Sequence, residues 1–173
     1  MEKRAGAVTF KGGPVTLVGP LLKAGDKAPD FKCLSNGLAA VSLADTGAKA
    51  RLFSVVPSLD TAVCSLQTKK FEDGIAGLGD KVACYTVSLD MPFAQKRFCG
   101  AENIQNMQTL SDVHNHSFGE NFGVLIEGLP LPLLARSVFV VDKTGTITFA
   151  EYVPEVTNHP NYDAALAALK AAA

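Results

Sequence analysis

The chain has 173 residues, of which 47% are hydrophobic and 19% charged, and its formal net charge is −1. This length suits one domain with a substantial core, the apolar content excludes a disordered chain, and the balanced charge argues against nucleic acid or an anionic membrane surface as a partner. No apolar run reaches the ~18 residues of a membrane span, and the first residues (MEKRAGAVTFKGG) lack the apolar core of a secretory signal, so we expect a cytoplasmic protein.

The predicted elements begin with a hairpin and continue as strands that alternate with helices. Two β-prone runs within residues 1–20 flank Lys11-Gly12-Gly13-Pro14, a pattern typical of a β-hairpin. An extended loop over 23–31 and a short strand over 41–43 come next, followed by a buried strand over 50–56 that Pro57 stops. The following helix begins after the cap candidates Ser58, Asp60 and Thr61 and ends at 77–79. A buried strand over 81–89 and a helix over 92–99 complete this half of the chain.

The second half of the chain closes with a hairpin and a helix. It contains a strand over 103–110, a short helix over 118–126, two strands over 137–141 and 146–152 that flank a turn, and a terminal helix over 162–173. Such alternation predicts a central mixed sheet flanked by helices. The order suits a thioredoxin-like α/β fold with an N-terminal β-hairpin extension (residues 1–20), and we expect one domain over residues 1–173.

The four cysteines, Cys33, Cys64, Cys84 and Cys99, are widely spaced. No CxxC pair exists, which argues against a zinc knuckle and against a thioredoxin-type dithiol, and four cysteines are too few for a disulfide-rich secreted scaffold. Cys84 alternates within a predicted strand and is expected in the core of the sheet. For Cys33 two interpretations stay open: a structural buried thiol, or an exposed thiol able to form mixed disulfides.

Two further patterns suggest ligand sites and are set aside. His114 and His116 alternate as strand ligands would, but no carboxylate or cysteine partner is near in sequence, so a solvated loop is favoured. The glycine-rich run over 74–79 closes a helix instead of following a strand, which is the wrong context for a phosphate cradle. We therefore predict no metal and no cofactor.

Cys64 has the most distinctive surroundings of the four cysteines. It follows the carboxyl end of a predicted buried strand and lies in the first turn of a predicted helix. Open α/β sheets bind ligands at that edge, and the unpaired N–H groups and the positive end of the helix dipole favour a thiolate over a thiol. Spacing alone leaves a packed, inert thiol equally open.

Five stretches of this sequence resemble one protein family, in the order in which that family carries them. PSLDTAVC (57–64) is similar to the Pro-x-x-x-Thr-x-x-Cys motif of peroxiredoxins, and KAGDKAPDF (23–31) resembles their common entry segment. FKGGPVTLVG (10–19), SLDMPFAQKRFCGAE (88–102) and ARSVFVVDKTG (135–145) resemble the bacterial thiol peroxidase (Tpx) subfamily. The resemblance covers nearly the whole chain.

The resemblance implies a role for each residue of the motifs. Cys64 would be the peroxidatic cysteine, with the Thr61 hydroxyl near its sulfur and Arg136 stabilising the thiolate and the departing oxygen. Pro57 would shield the sulfur, backbone N–H groups around Cys64 would complete the peroxide site, and Cys99 would resolve the Cys64 sulfenic acid as an intramolecular disulfide. Each has an ordinary alternative: a helix cap for Thr61, a surface ion pair for Arg136, a strand end for Pro57 and an inert thiol for Cys99.

The resemblance also implies reduction of hydrogen peroxide and organic hydroperoxides, recycling by thioredoxin, and a homodimer. Apolar residues near the motif, Leu59, Val63, Met91 and Phe93, would favour organic hydroperoxides. Because the two cysteines lie in different predicted helices, we expect the first turn after Thr61, the segment around 93–100, or both to unfold locally before they join. Two rival functions are a dithiol oxidoreductase of thioredoxin fold and a non-enzymatic redox sensor or holdase.

Overall fold

The structure is a computed structural model that describes residues 1–173. The strands are β1 (Lys3–Phe10), β2 (Gly13–Val18), β3 (Cys33–Leu34), β4 (Ala40–Val41), β5 (Ala50–Val55), β6 (Val82–Ser88), β7 (Met107–Ser111), β8 (Leu125–Glu127), β9 (Leu133–Leu134), β10 (Ser137–Val141) and β11 (Ile147–Tyr152). The helices are α1 (Ala62–Ile75), α2 (Pro92–Ala101), α3 (Ser117–Asn121) and α4 (Tyr162–Ala172), with 3-10 turns at Ala44–Thr46 and Gly79–Lys81. None of the helices has both the length and the apolar composition of a bilayer span.

A seven-stranded mixed sheet forms the centre of the fold, in the order β11-β10-β5-β6-β7-β3-β4. The strands β5, β6 and β7 are parallel and are connected through α1 and α2, whereas β10 and β11 pair antiparallel to extend the sheet. Every residue of β5 is buried, as expected of a central strand covered on both faces. The predicted sheet flanked by helices is confirmed.

Two apolar clusters pack on opposite faces of this sheet. On one face, Leu52 belongs to a cluster with Phe71 of α1, Phe98 of α2 and Leu169 of α4. On the other face, Phe53 belongs to a cluster of rings and aliphatic side chains that includes the N-terminal hairpin. This alternation along β5 follows from the two-residue period of a strand. Helices α1 and α2 therefore lie on the same side of the sheet.

The N-terminal hairpin is confirmed and belongs to a second sheet, in the order β1-β2-β8-β9. The predicted helix over 118–126 is wrong in its second half, because α3 ends at Asn121 and β8 pairs antiparallel with β2. Gly123 explains the break: its φ is +68°, and a Cβ there would meet the backbone of Pro20. A neighbouring strand from the far end of the chain thus overrides the local helical pattern.

The remaining elements differ from prediction mainly at their ends. Helix α1 ends at Ile75, ahead of the glycines expected to stop it, and β7 begins at Met107 instead of at 103. Thr61 occupies the N-cap position of α1 but makes no side-chain cap hydrogen bond. Asp60, predicted as a capping residue, instead accepts a hydrogen bond from Arg97.

Candidate active site

Cys64 is the third residue of α1, directly above the carboxyl end of β5. Because β10 runs antiparallel to β5, with Ser137 opposite Val55, the residue that precedes β10 reaches the same edge of the sheet. That residue is Arg136. Topology therefore brings together two residues that are 72 positions apart in sequence.

The Arg136 guanidinium is buried and held by three hydrogen bonds. Its Nη2 donates to the Cys64 sulfur at 3.2 Å, its Nη1 to Gln67 Oε1 at 2.9 Å and its Nε to the carbonyl of Val156 at 2.7 Å. Only 2% of Arg136 is exposed, and Cys64 is completely buried. A charged donor this close, away from bulk water, stabilises a thiolate. The alternative of a surface ion pair for Arg136 is wrong.

Gln67 is a member of this site that the sequence did not suggest. It lies one turn after Cys64 on α1, is fully buried, and donates from Nε2 to Ser54 Oγ at 2.8 Å while it accepts from Arg136. The amide thus fixes the orientation of the guanidinium toward the sulfur. A polar residue at a core position of an amphipathic helix was the available signal.

Pro57, Thr61 and Arg136 line one cavity of about 300 Å³ beside the start of α1. The Thr61 hydroxyl donates to the carbonyl of Ser58 at 3.0 Å and makes no hydrogen bond with Cys64. The N–H groups of Val63 and Cys64 have no protein acceptor, as is normal for the first turn of a helix. They leave donors available for an oxygen of a bound molecule.

Asp90 holds the loop that leads into α1. Its carboxylate accepts from Ser58 Oγ at 2.9 Å and from the Leu59 N–H at 2.8 Å, and Ser88 Oγ donates to it at 2.7 Å. The loop before Cys64 is therefore fixed by a residue that lies between β6 and α2. Asp90 could not be singled out from the sequence, because nothing local distinguishes it from an ordinary loop aspartate.

Phe10 and Lys11, at the turn of the N-terminal hairpin, line one side of the cavity. Hydrogen bonds to Glu155 hold this turn in place. The Glu155 carboxylate accepts from the N–H groups of Lys11 and Gly12 and from the Thr9 hydroxyl. It also accepts from the N–H and the hydroxyl of Thr157. The bonds from Thr157, followed by those from the Gly12 N–H and the Thr9 hydroxyl, lower the pKa of Glu155 to about 2.

We expect Glu155→Gln to destabilise the protein at neutral pH, with the difference from wild type shrinking in acid. Because the folded-state pKa lies below the ordinary value, the contribution is complete above about pH 4.5 and is lost as the pH falls toward 2. Urea unfolding at pH 7 and pH 3 measures this, with exposed Glu2→Gln as the control. An equal difference at both pH values would contradict this assignment.

Cys99 lies away from Cys64, over a different part of the sheet. It is half-buried, and its sulfur is 3.9 Å from the Thr109 hydroxyl in β7. Strand β6 separates β7 from β5, the strand that leads to Cys64, so the strands beneath the two cysteines are about 10 Å apart. Both are free thiols, and burial raises the pKa of Cys99.

Cys33 and Cys84 are buried in the two cores. Cys84 is confirmed in the sheet core, and burial raises its pKa to about 12. Cys33 is completely buried, its thiol donates to Asp112 Oδ1 at 3.6 Å, and burial raises its pKa strongly. An exposed thiol at Cys33 is therefore excluded. No three His, Cys, Asp or Glu side chains are grouped as metal ligands.

Comparisons with known proteins agree with this geometry. The chain matches the Redoxin family model over residues 23–166. It is 56% identical over 164 residues to a thiol peroxidase of Bacillus subtilis (95% of this chain, 96% of the relative) and 53% identical to one of Listeria monocytogenes (95% and 98%). A solved peroxiredoxin-like protein from Aquifex aeolicus is 43% identical with a TM-score of 0.90, covering 98% of both chains. The predicted thioredoxin-like fold is confirmed.

Proposed function

The chain belongs to the Redoxin family and is a thiol-dependent peroxidase of the peroxiredoxin type; on that premise we propose that Cys64 is its peroxidatic cysteine and Cys99 its resolving cysteine. The observation that carries this proposal is the buried hydrogen bond of 3.2 Å from Arg136 to the Cys64 sulfur. Among the four cysteines, Cys64 is the one that a guanidinium contacts.

In the first step the Cys64 thiolate attacks the terminal oxygen of the hydroperoxide. The sulfur–oxygen bond forms as the oxygen–oxygen bond breaks, the sulfur is oxidised to a sulfenic acid, and the other oxygen takes up a proton and leaves as alcohol or water. Negative charge grows on that leaving oxygen. Arg136 would stabilise it, together with the N–H groups of Val63 and Cys64. Pro57 would shield the sulfur, and the Thr61 hydroxyl would turn from Ser58 to the bound peroxide.

In the second step the Cys99 sulfur attacks the Cys64 sulfenic acid. A disulfide forms and the hydroxyl leaves as water with the thiol proton, so no further oxidant is needed. Because β6 lies between the strands beneath the two cysteines, the first turn of α1, α2, or both must unfold locally first, and α2 is the segment that carries Cys99. A dithiol of the thioredoxin type would then reduce the disulfide. The need for such a reductant supports our proposal that the protein acts in the cytoplasm, which is a reducing compartment.

The cavity supports organic hydroperoxides as substrates alongside hydrogen peroxide. Phe10, Val63, Leu133 and Val156 contribute its apolar wall beside Arg136. Such a wall binds an alkyl or aryl group through the hydrophobic effect and leaves the polar end of the cavity to the peroxide. The apolar residue Leu59, expected at this site, is instead buried in the core.

We propose a homodimer as the working unit and one domain over residues 1–173. Met91 and Phe93, at the start of α2, are 51% and 62% exposed, which supports a contact with a second copy. The pairing of β2 with β8 and the bonds from Glu155 to the hairpin turn support a hairpin (residues 1–20) that belongs to the same domain.

A turnover assay separates this function from its rivals. The protein is supplied with cumene hydroperoxide, thioredoxin, thioredoxin reductase and NADPH, and peroxide consumption is counted per protein chain. A peroxidase consumes many equivalents, and Cys64→Ser abolishes this. Consumption that stops near one equivalent would favour a redox sensor, and turnover that survives in Cys64→Ser would remove Cys64 from the proposal.

A further inference from the structure

Helix α2 is held on the central sheet by the buried side chain of Gln95. Gln95 is fully buried, and its Nε2 donates to Ser88 Oγ at 3.0 Å and to the carbonyl of Leu110 at 2.9 Å. Ser88 is the last residue of β6 and Leu110 belongs to β7. The amide thus ties the middle of α2 to two adjacent strands. The other buried side chains of α2, Pro92 and Phe98, are apolar and make no such directional contacts.

Gln95 and Cys99 lie one helical turn apart on the same face of α2. This i, i+4 spacing places both against β7, where Cys99 contacts Thr109. Cys99 cannot leave β7 as part of an intact helix without pulling Gln95 off the sheet. The two hydrogen bonds of Gln95 therefore exist in the packed state of α2 and are broken in the released state. They contribute directly to the free-energy difference between these two states.

Ser88, which accepts one of these hydrogen bonds, also belongs to the hydrogen bonds that hold the loop before Cys64. Ser88 Oγ accepts from Gln95 and donates to Asp90, and the same Asp90 carboxylate accepts from Ser58 and the Leu59 N–H. One hydrogen-bonded network thus connects the helix that carries Cys99 with the loop that leads to Cys64. Gln95 Oε1 has no hydrogen-bond partner, so the tie between α2 and the sheet consists of the two bonds from Nε2.

We propose that Gln95 is a positioning residue of the resolving step, which acts as a latch that keeps Cys99 on the sheet until the Cys64 sulfenic acid has formed. This inference rests on the proposed Cys64–Cys99 disulfide. Release of the latch frees Cys99 to reach Cys64, and it also exposes the thiol, whose pKa burial raises in the packed state. The stability of the latch determines the lifetime of the Cys64 sulfenic acid, and hence how readily a second peroxide molecule overoxidises it.

The test replaces Gln95 by methionine, which has a similar length and helix propensity but donates no hydrogen bond. In Gln95→Met we expect the reaction of Cys64 with cumene hydroperoxide to stay within about twofold of wild type, and disulfide formation to become about tenfold faster. The peroxide concentration that overoxidises half of Cys64 should rise by the same factor. Amides of 92–101 should exchange hydrogen faster in the reduced variant.

Lys96→Met is the matched control, since Lys96 is the exposed neighbour on α2 and its side chain has no hydrogen bond. It should leave all four measurements unchanged. Should Gln95→Met fail to fold, Ser88→Ala removes one of the two bonds of Gln95 together with the Ser88–Asp90 bonds. Disulfide formation should then speed up by a smaller factor, and the reaction of Cys64 with peroxide is measured in the same variant to separate any effect on the loop before Cys64. An unchanged or slower disulfide step in the folded variant would overturn the latch, as would unchanged hydrogen exchange. Absence of a Cys64–Cys99 disulfide in wild type would instead overturn the proposed function.

Discussion

Replacing Arg136 by methionine is expected to slow the reaction of the reduced protein with cumene hydroperoxide by about a hundredfold or more. Its three hydrogen bonds, to Cys64, Gln67 and the carbonyl of Val156, aim a charged donor at the sulfur. Removal of one such preorganised donor in other enzymes costs about 3 kcal/mol of transition-state stabilisation. Arg136→Lys keeps the charge but cannot make three bonds in the same geometry, so we expect an intermediate rate.

The rate is followed by quenched flow with mass spectrometry, because the chain has no tryptophan to report the reaction. Arg51→Met is the matched control. Arg51 is also a buried arginine, but it donates to Thr46 and to the carbonyl of Asp142, away from Cys64. It should lower stability and leave the rate within about twofold. Equal slowing in both variants would mean that Arg136 acts through general stability alone.

Cys99→Ser is expected to keep the first reaction with peroxide and to lose sustained turnover. Without a second thiol in the same chain, the Cys64 sulfenic acid must wait for a thiol from solution, and the advantage of an intramolecular attack is lost. We expect steady-state turnover with thioredoxin to fall by about a hundredfold or more, while one equivalent of peroxide is still consumed rapidly. Dimedone should label Cys64, and excess peroxide should overoxidise it.

Cys33→Ser is the control for that variant. The serine hydroxyl can take over the hydrogen bond of Cys33 to Asp112, so turnover should stay within about twofold of wild type. Sustained turnover in Cys99→Ser, with a disulfide from Cys64 to another cysteine, would assign the resolving role elsewhere. Slowing of the first reaction would show that Cys99 also supports the peroxide site.

The strands and helices that could be predicted from sequence are those whose own residues determine them. The run over 50–56, stopped by Pro57, predicts a central strand, and the alanine-rich end of the chain predicts α4. Strand β8 could not be predicted, because it exists by pairing with β2, more than a hundred residues earlier. A two-residue strand such as β9 has too little pattern of its own to be recognised.

The residues of the candidate site also divide into those that local sequence predicts and those that it does not. Cys64 and Arg136 could be singled out from local motifs, and the fold brings them within hydrogen-bonding distance. Gln67, Asp90 and Glu155 could not be assigned to the site, because their partners come from distant segments: Arg136, just before β10, for Gln67, the loop at 58–59 for Asp90 and the hairpin turn for Glu155. Gln67 left one signal, a polar residue at a core position of a helix, whereas Asp90 and Glu155 are defined by three-dimensional contacts for which sequence spacing carries no signal.

Peptide-level mass spectrometry after one equivalent of cumene hydroperoxide tests the central claim most directly. The proposed mechanism predicts a single disulfide between Cys64 and Cys99 in wild type, with Cys33 and Cys84 remaining thiols, because burial raises the pKa of both and the guanidinium of Arg136 donates to Cys64 instead. The disulfide should be absent in Cys64→Ser. Free thiols at both Cys64 and Cys99 in treated wild type, or a bridge that includes Cys33, would contradict the proposed mechanism.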